Sequence, residues 1–252
     1  MDLAPILEFD SDPNAILNPP VSTPPGWSER VVLCFFQDVI RRLSEEGRLT
    51  HVHDLSSEVG PNPVYRLEKD GRAVLVVHPG LGAPFAVAFV EELIALGGRK
   101  FIACGGAGVL AREIAAGHPL VLTGAVRDEG TSYHYLPAGR ETTPDPAAVE
   151  ALEAACRAAQ IDYRLGKAWT TDAIYRETAA RRAARMQEGC LVVEMEASAF
   201  FAVAQFRRVT FGQIVYGGDL VVPEGWDGRA WHKRQGDRRL MFELALDAVL
   251  RL

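Results

Sequence analysis

Short runs of purely apolar residues, each followed by a turn and then a helical stretch, recur along this chain from residue 73 onward. That rhythm leaves few folds open. Ala73-Val74-Leu75-Val76-Val77 is the clearest run, entered through the turn Lys69-Asp70-Gly71. Five consecutive apolar residues leave neither face polar, which predicts a strand buried on both sides. The loop His78-Pro79-Gly80-Leu81-Gly82 follows, then a helix over 84–96 closed by Gly97-Gly98. Phe101 to Cys104 is predicted as the next strand, with Gly105-Gly106-Ala107-Gly108 as a loop and a helical piece behind it. Leu120–Thr123, Leu191–Val193 and Val209–Tyr216 extend the series of strands. Helices are expected over 145–159, 195–205 and 235–251, and a long one from Thr170 through Arg181 and Arg185 to Gly189. Residues 29–44 also look helical, at least from Gln37 to Leu43. Strands alternating with helices predict an α/β fold, a single domain whose central mixed sheet is flanked by helices. Residues 1–27, rich in Pro, Asp and Asn, form an N-terminal arm, and 28–252 form the domain.

Charge and cysteine usage narrow the function classes. Lys+Arg number 27 against Asp+Glu 33, a net charge of −6, which lacks the basic footprint of a nucleic-acid binder. No uncharged run approaches the roughly 18 residues that span a bilayer, so no membrane partner is expected. Cys34, Cys104, Cys156 and Cys190 show no ligand spacing, and two of them lie in apolar runs. Reduced, buried thiols and the lack of a basic-then-apolar leader point to a cytoplasmic protein.

In open α/β sheets ligands bind beyond the carboxyl ends of strands. Four segments hold such positions: Pro79–Gly82, Gly105–Gly108, Glu194–Glu196 and Gly217–Asp219. The most telling is Val192-Val193-Glu194-Met195-Glu196-Ala197-Ser198-Ala199. Two carboxylates at an apolar strand-to-helix junction cost roughly several kcal/mol unless something pairs with them. The two hydroxyls of a ribose are suitable partners; the alternative is that both glutamates simply favour the positive end of the helix.

These residues, taken in order, resemble the nucleoside phosphorylase-I superfamily, the uridine/purine nucleoside phosphorylase group. Glu194-Met195-Glu196-Ala197 looks like its signature, and Gly80-Leu81-Gly82 with Val90-Glu91-Glu92-Leu93 resembles its Gly-Ile-Gly loop and following helix. Gly105–Gly108 takes the place of its Gly-rich loop, Val126–His134 looks like the uridine phosphorylase branch, and Thr170–Tyr175 resembles the base-site segment. The resemblance implies that Glu196 holds the ribose 2′- and 3′-hydroxyls, that Met195 packs on the sugar and that Glu194 lies near base or ribose. Ile174 and Tyr175 would border the base, where the family usually has Phe in place of Ile174. Asp219 matches the acid that protonates or hydrogen-bonds N7 of a purine, and is the catalytic candidate. Gly106, Arg127 and His134 complete the site list, with His78 as an outside candidate and core or surface roles open for each.

Several family features are absent. Leu33-Cys34-Phe35-Phe36-Gln37-Asp38 stands where a Gly-Asp-Pro loop and arginine are usual; Ala103 takes another arginine position; Thr178 and Ala180 replace the Gln/Arg pair that reads uracil. The expected reaction is phosphorolysis to free base and ribose 1-phosphate, with phosphate as co-substrate and no cofactor or metal. The alternative is a nucleosidase using water. Arg127, Arg176 and Arg229 are the candidates for a relocated anion site. The Pro223–His232 segment, with two Trp, is a candidate flap. Assembly into dimers or trimers of dimers is implied by the resemblance.

Overall fold

The computed structural model describes residues 4–19 and 21–252. Eleven strands and six helices follow in chain order: β1 Arg30–Cys34, α1 Gln37–Glu45, β2 Thr50–Ser57, β3 Gly60–Lys69, β4 Arg72–Val77, α2 Ala83–Ala95, β5 Lys100–Val109, β6 Pro119–Asp128, β7 Glu141–Thr142, α3 Pro146–Ala158, β8 Arg164–Thr171, α4 Ala179–Gln187, β9 Cys190–Glu194, α5 Ala197–Arg207, β10 Thr210–Val222, β11 Gly225–Asp227 and α6 Gln235–Arg251. One mixed sheet runs β11-β10-β6-β8-β9-β5-β1-β4-β3-β2, with β7 on β6. Because β10 also pairs with β5, the strands β5, β10, β6, β8 and β9 close into a ring, and β1, β4, β3 and β2 extend from it as an open wing. The expected mixed α/β architecture is what the chain adopts.

Alternation along the strands fills two helix layers. Val31, Leu33, Val77, Ala103, Phe211 and Val215 pack under α2 and α5. Their neighbours Val32, Cys34, Val76, Ile102, Cys104 and Ile214 pack under α1, α3 and α6. Each fully buried Val or Leu contributes roughly 1.5–3 kcal/mol, so both faces must stay covered. Helix starts follow local chemistry. Asp145 caps α3, its Oδ1 accepting the Ala147 N–H at 2.9 Å ahead of Pro146 at the first helical position.

Three expectations need correction, and one element was not foreseen. Residues 29–44 are not one helix: Arg30–Cys34 is a strand lying parallel between β4 and β5, as its β-branched apolar run favours. The stretch before residue 73 holds the β2–β3 hairpin, which alternation broken by His and Pro concealed. Gly105–Gly108 is not a loop but the second half of β5, pairing Gly106 with Tyr216 and Gly108 with Val193, with an irregular turn after it rather than a helix. The region after Thr170 likewise divides, because β8 runs to Thr171 and α4 begins only at Ala179.

Candidate functional site

A cavity of about 1110 Å³ opens at one end of the strand ring. Its walls include Glu194, Met195 and Glu196 from the β9–α5 junction, Gly106 from β5, Ile174, Tyr175 and Glu177 from the segment after β8, and Asp219 from β10. Seven residues expected on sequence grounds therefore meet here: Gly106, Ile174, Tyr175, Glu194, Met195, Glu196 and Asp219.

The two glutamates of the junction do different work. Glu194 has both oxygens engaged. Thr170 Oγ1 donates to Oε1 at 2.6 Å, and the N–H groups of Glu196 and Ala197 donate to Oε2 at 2.8 and 2.7 Å. It thus holds the first turn of α5, as the helix-end alternative supposed, and fixes where Glu196 points. Glu196 is only 4% exposed, and its Oε1 accepts the Gly82 N–H at 2.6 Å. Burial, and then the Glu194 charge, push its pKa above the ordinary carboxylate range, with the Gly82 N–H pulling the other way. Gly82 adopts φ 86° to aim that N–H, and a side chain at Gly80, φ 83°, would run into the Phe85 ring.

Behind this junction a buried relay continues outward. Ser198 N donates to Thr170 Oγ1 at 3.0 Å, Ser198 Oγ to Glu129 Oε1 at 2.8 Å, and Ser132 N to Glu129 Oε2 at 2.9 Å. Arg127 belongs to this scaffold. Its guanidinium donates to Ser132 Oγ and to the carbonyls of Pro137 and Leu136, and it stacks 4.1 Å over the Tyr133 ring. It does not line the cavity, and neither does the exposed His134. Neither takes the site-lining place expected of it: the relay through Glu129 and Ser132 holds Arg127 behind the junction, and His134 is exposed at the end of the turn Thr131–His134.

Asp219 lies within a register shift in β10 between Gly217 and Leu220, where the strand bends and redirects its side chain. Trp226 Nε1–H donates to Asp219 Oδ2 at 2.6 Å from β11, which pairs antiparallel with the end of β10. Trp226 is 66% exposed and forms part of the cavity mouth, as does Tyr175 at 93%. Ile174 and Tyr175 are therefore rim residues, not core.

Four polar or charged lining residues were missed. Glu177 adjoins the base-site segment but carried no pattern of its own. Gln213 is 2% exposed, and its Oε1 has no partner among the described residues; a lone amide inside an apolar strand was the available signal. Tyr216 OH donates to the Trp231 carbonyl. Arg238 lies 5.6 Å from the Phe36 ring and 5.4 Å from that of Trp231, and donates to Asp38 at 2.8 Å. Of the proposed anion-site arginines, Arg229 donates to the Ile114 carbonyl, and neither it nor Arg176 lines the cavity. His78 does. Its Nδ1 accepts the Gly80 N–H at 3.1 Å, and burial lowers its pKa, keeping the ring neutral.

The sequence profile of the Phosphorylase superfamily matches residues 29–240. A guanosine phosphorylase of Halorubrum lacusprofundi is 30% identical over 176 residues, 68% of this chain and 73% of that protein. A uridine phosphorylase of Treponema pallidum is 33% identical over 153 residues, 56% of this chain and 59% of its own length. The fold is similar to that of the Toxoplasma gondii purine nucleoside phosphorylase, with a TM-score of 0.76 at 22% identity over 89% of this chain and 92% of the other. It is also similar to an AMP nucleosidase of Bacteroides thetaiotaomicron, with a TM-score of 0.71 at 21% identity over 89% and 88%. With the Glu194-Met195-Glu196 junction and the closed ring of strands in place, the profile match makes this chain a member of the phosphorylase superfamily.

Proposed function

We propose that the chain transfers the pentosyl group of a purine nucleoside to phosphate, releasing the base and ribose 1-phosphate. The observation that carries this reading is that Glu196 and Asp219, carried by the two strands that flank β5 in the ring, line one cavity. Glu196 accepts hydrogen bonds from the ribose 2′- and 3′-hydroxyls, with Met195 against the sugar. As the C1′–N9 bond lengthens, the ribosyl group gains oxocarbenium character, which a nearby carboxylate stabilises. Asp219 delivers a proton to N7, the electron pair of the broken bond stays with the base, and a phosphate oxygen closes on C1′. Exposed Leu81, Tyr175 and Trp226 at the rim support assembly into dimers or trimers of dimers.

A second reading, attack by water, is favoured by two observations. Among the described residues the one guanidinium lining the cavity, Arg238, is already paired with Asp38. Gln213 Oε1, buried without a donor, is readily satisfied by water, which has two protons to give where a hydrogen phosphate dianion has one. Leaving such a group unpaired costs about 1–3 kcal/mol. Base release from purine nucleosides, followed with and without phosphate, separates the two. Phosphorolysis requires release to depend on phosphate and to yield ribose 1-phosphate; equal release in its absence establishes hydrolysis, and no release rejects both.

Trp226 both covers the mouth and holds Asp219, so Trp226→Ala is expected to lower kcat/KM roughly tenfold, the worth of one good hydrogen bond. Unchanged turnover and affinity would reduce the β11 segment to a surface loop.

A further inference from the structure

The buried amide of Gln213 calls for a partner that the protein does not supply. Gln213 lines the cavity from β10 at 2% exposure, and its Oε1 has no hydrogen-bond donor among the described residues. It shares a face of the strand with Phe211 and Val215, and Ala103, opposite it on β5, has no side-chain polar atom to offer. Other polar groups of the cavity are served. Glu196 accepts the Gly82 N–H, Asp219 accepts that of Trp226, and Tyr216 OH donates to the Trp231 carbonyl. An amide oxygen buried without a donor is unfavourable in the protein by itself, and any group that brings an O–H relieves it.

The strand β5 serves as a ruler for what that group is. Asp219 lies beside Gly108, where an added Cβ would stand 3.5 Å from its Oδ2. β9 meets β5 antiparallel, Val193 at Gly108 and Val192 at Val109, so the chain beyond Val193 runs back towards the start of β5 and carries Glu194 and Glu196 with it. Gln213 lies at Ala103, five residues and roughly 16 Å of strand before Gly108. The acid for the base, the carboxylate for the sugar and the lone amide thus follow one another along the cavity. Displacement at C1′ brings the entering oxygen to the face of the sugar opposite the departing base. That is the end Gln213 occupies.

We infer that Gln213 orients the nucleophile, its Oε1 accepting a hydrogen bond from an O–H of the entering group so that an oxygen lone pair faces C1′. This rests on the reading above, in which Asp219 serves the base and Glu196 the ribose. Water and hydrogen phosphate both carry the required O–H. Neither gives its proton to the amide, which is too weak a base. The O–C1′ bond forms as the C1′–N bond breaks, its electron pair passing to the base, which takes the Asp219 proton. The bound nucleophile then loses one proton, which restores Asp219 through solvent.

Gln213→Leu keeps the side chain close to its volume and removes both polar atoms. Where release depends on phosphate, KM for inorganic phosphate should rise about tenfold, the worth of one hydrogen bond. Where release runs on water, kcat should fall about tenfold, and the share of methyl riboside formed in added methanol should rise about threefold. The KM for the nucleoside should stay within about twofold, since its sugar and base contacts are untouched. Melting temperature should hold or rise, because an orphaned buried group has gone. A phosphate KM or methanol share that does not move overturns the assignment while leaving nucleoside cleavage intact, and a lowered melting temperature with those readouts unmoved makes Gln213 structural. Absence of base release from the unmodified protein overturns the proposed reaction itself. Should Gln213→Leu not fold, Gln213→Met fills the same space with a weak acceptor and is measured in the same way. Failure of both to fold places Gln213 in the fold and rejects the assignment.

Discussion

Glu196→Gln is expected to lower kcat/KM for a nucleoside by about two to three orders of magnitude while raising the melting temperature of the free protein. The loss follows from replacing an anionic acceptor of two ribose hydroxyls by a neutral amide with one acceptor oxygen; each charge-assisted bond is worth about 1.5–3 kcal/mol. Stabilisation follows from the same burial. Glu196 is 4% exposed, with no cation hydrogen-bonded to it among the described residues, and its pKa is pushed from 4.5 up to about 8 by desolvation and by Glu194. A folded-state value above the unfolded one means the native protein holds the proton more tightly. That contribution is fully present below about pH 4.5 and is lost as pH rises through the folded value. Melting temperature measured from pH 5 to pH 9 should therefore fall less steeply in Glu196→Gln than in the unmodified chain. At neutral pH the variant should melt about 2–4 °C higher, the shift that roughly 1 kcal/mol gives in a chain of this size. Binding a diol favours the ionised form, so kcat/KM for the unmodified protein should climb with pH towards the same value. A variant that loses stability and keeps activity would mean that Glu196 serves the fold alone.

Asp219→Asn should reduce turnover of purine nucleosides by about 10²–10³, within the range for removing a positioned general acid. Asparagine preserves the hydrogen bond from Trp226 in shape, so the β10–β11 corner should remain folded and substrate affinity should change little. The decisive comparison uses 4-nitrophenyl riboside, whose leaving group departs without a proton. Its cleavage should survive Asp219→Asn largely intact. An equal loss on both substrates would show that Asp219 orders the pocket and does not protonate the base.

Part of this site was legible because it violates a local rule. Glu194 and Glu196 are carboxylates at an apolar junction, and such residues persist only with a partner. Apolar runs and their flanking signals likewise located α2, α3, α5 and α6 to within a few residues, since these are local properties. Other parts were not legible. Gly105 and Gly106 looked like a loop, yet they continue β5 because Phe35 and Tyr216 pack where side chains would stand; an added Cβ would meet each ring at 3.2 Å. Arg127 lies in a segment resembling the site, but three acceptors from the following turn hold its guanidinium inside the scaffold. Arg238 and Glu177 carried no signal, as a charged residue at a helix start or after a short turn is ordinarily solvated.

The apolar strands β4, β5, β6, β9 and β10, the starts of α2, α3, α5 and α6 and the buried carboxylate junction were determined by residues within a few positions of one another, and the sequence alone specified them. Which side chains share the cavity was decided only by the tertiary structure. Pairing of β10 with β5 closes the ring and brings Asp219 into the cavity that Glu196 lines. Side-chain direction there depends on strand register and on the bend after Gly217, and both are set by long-range pairing that no local pattern encodes.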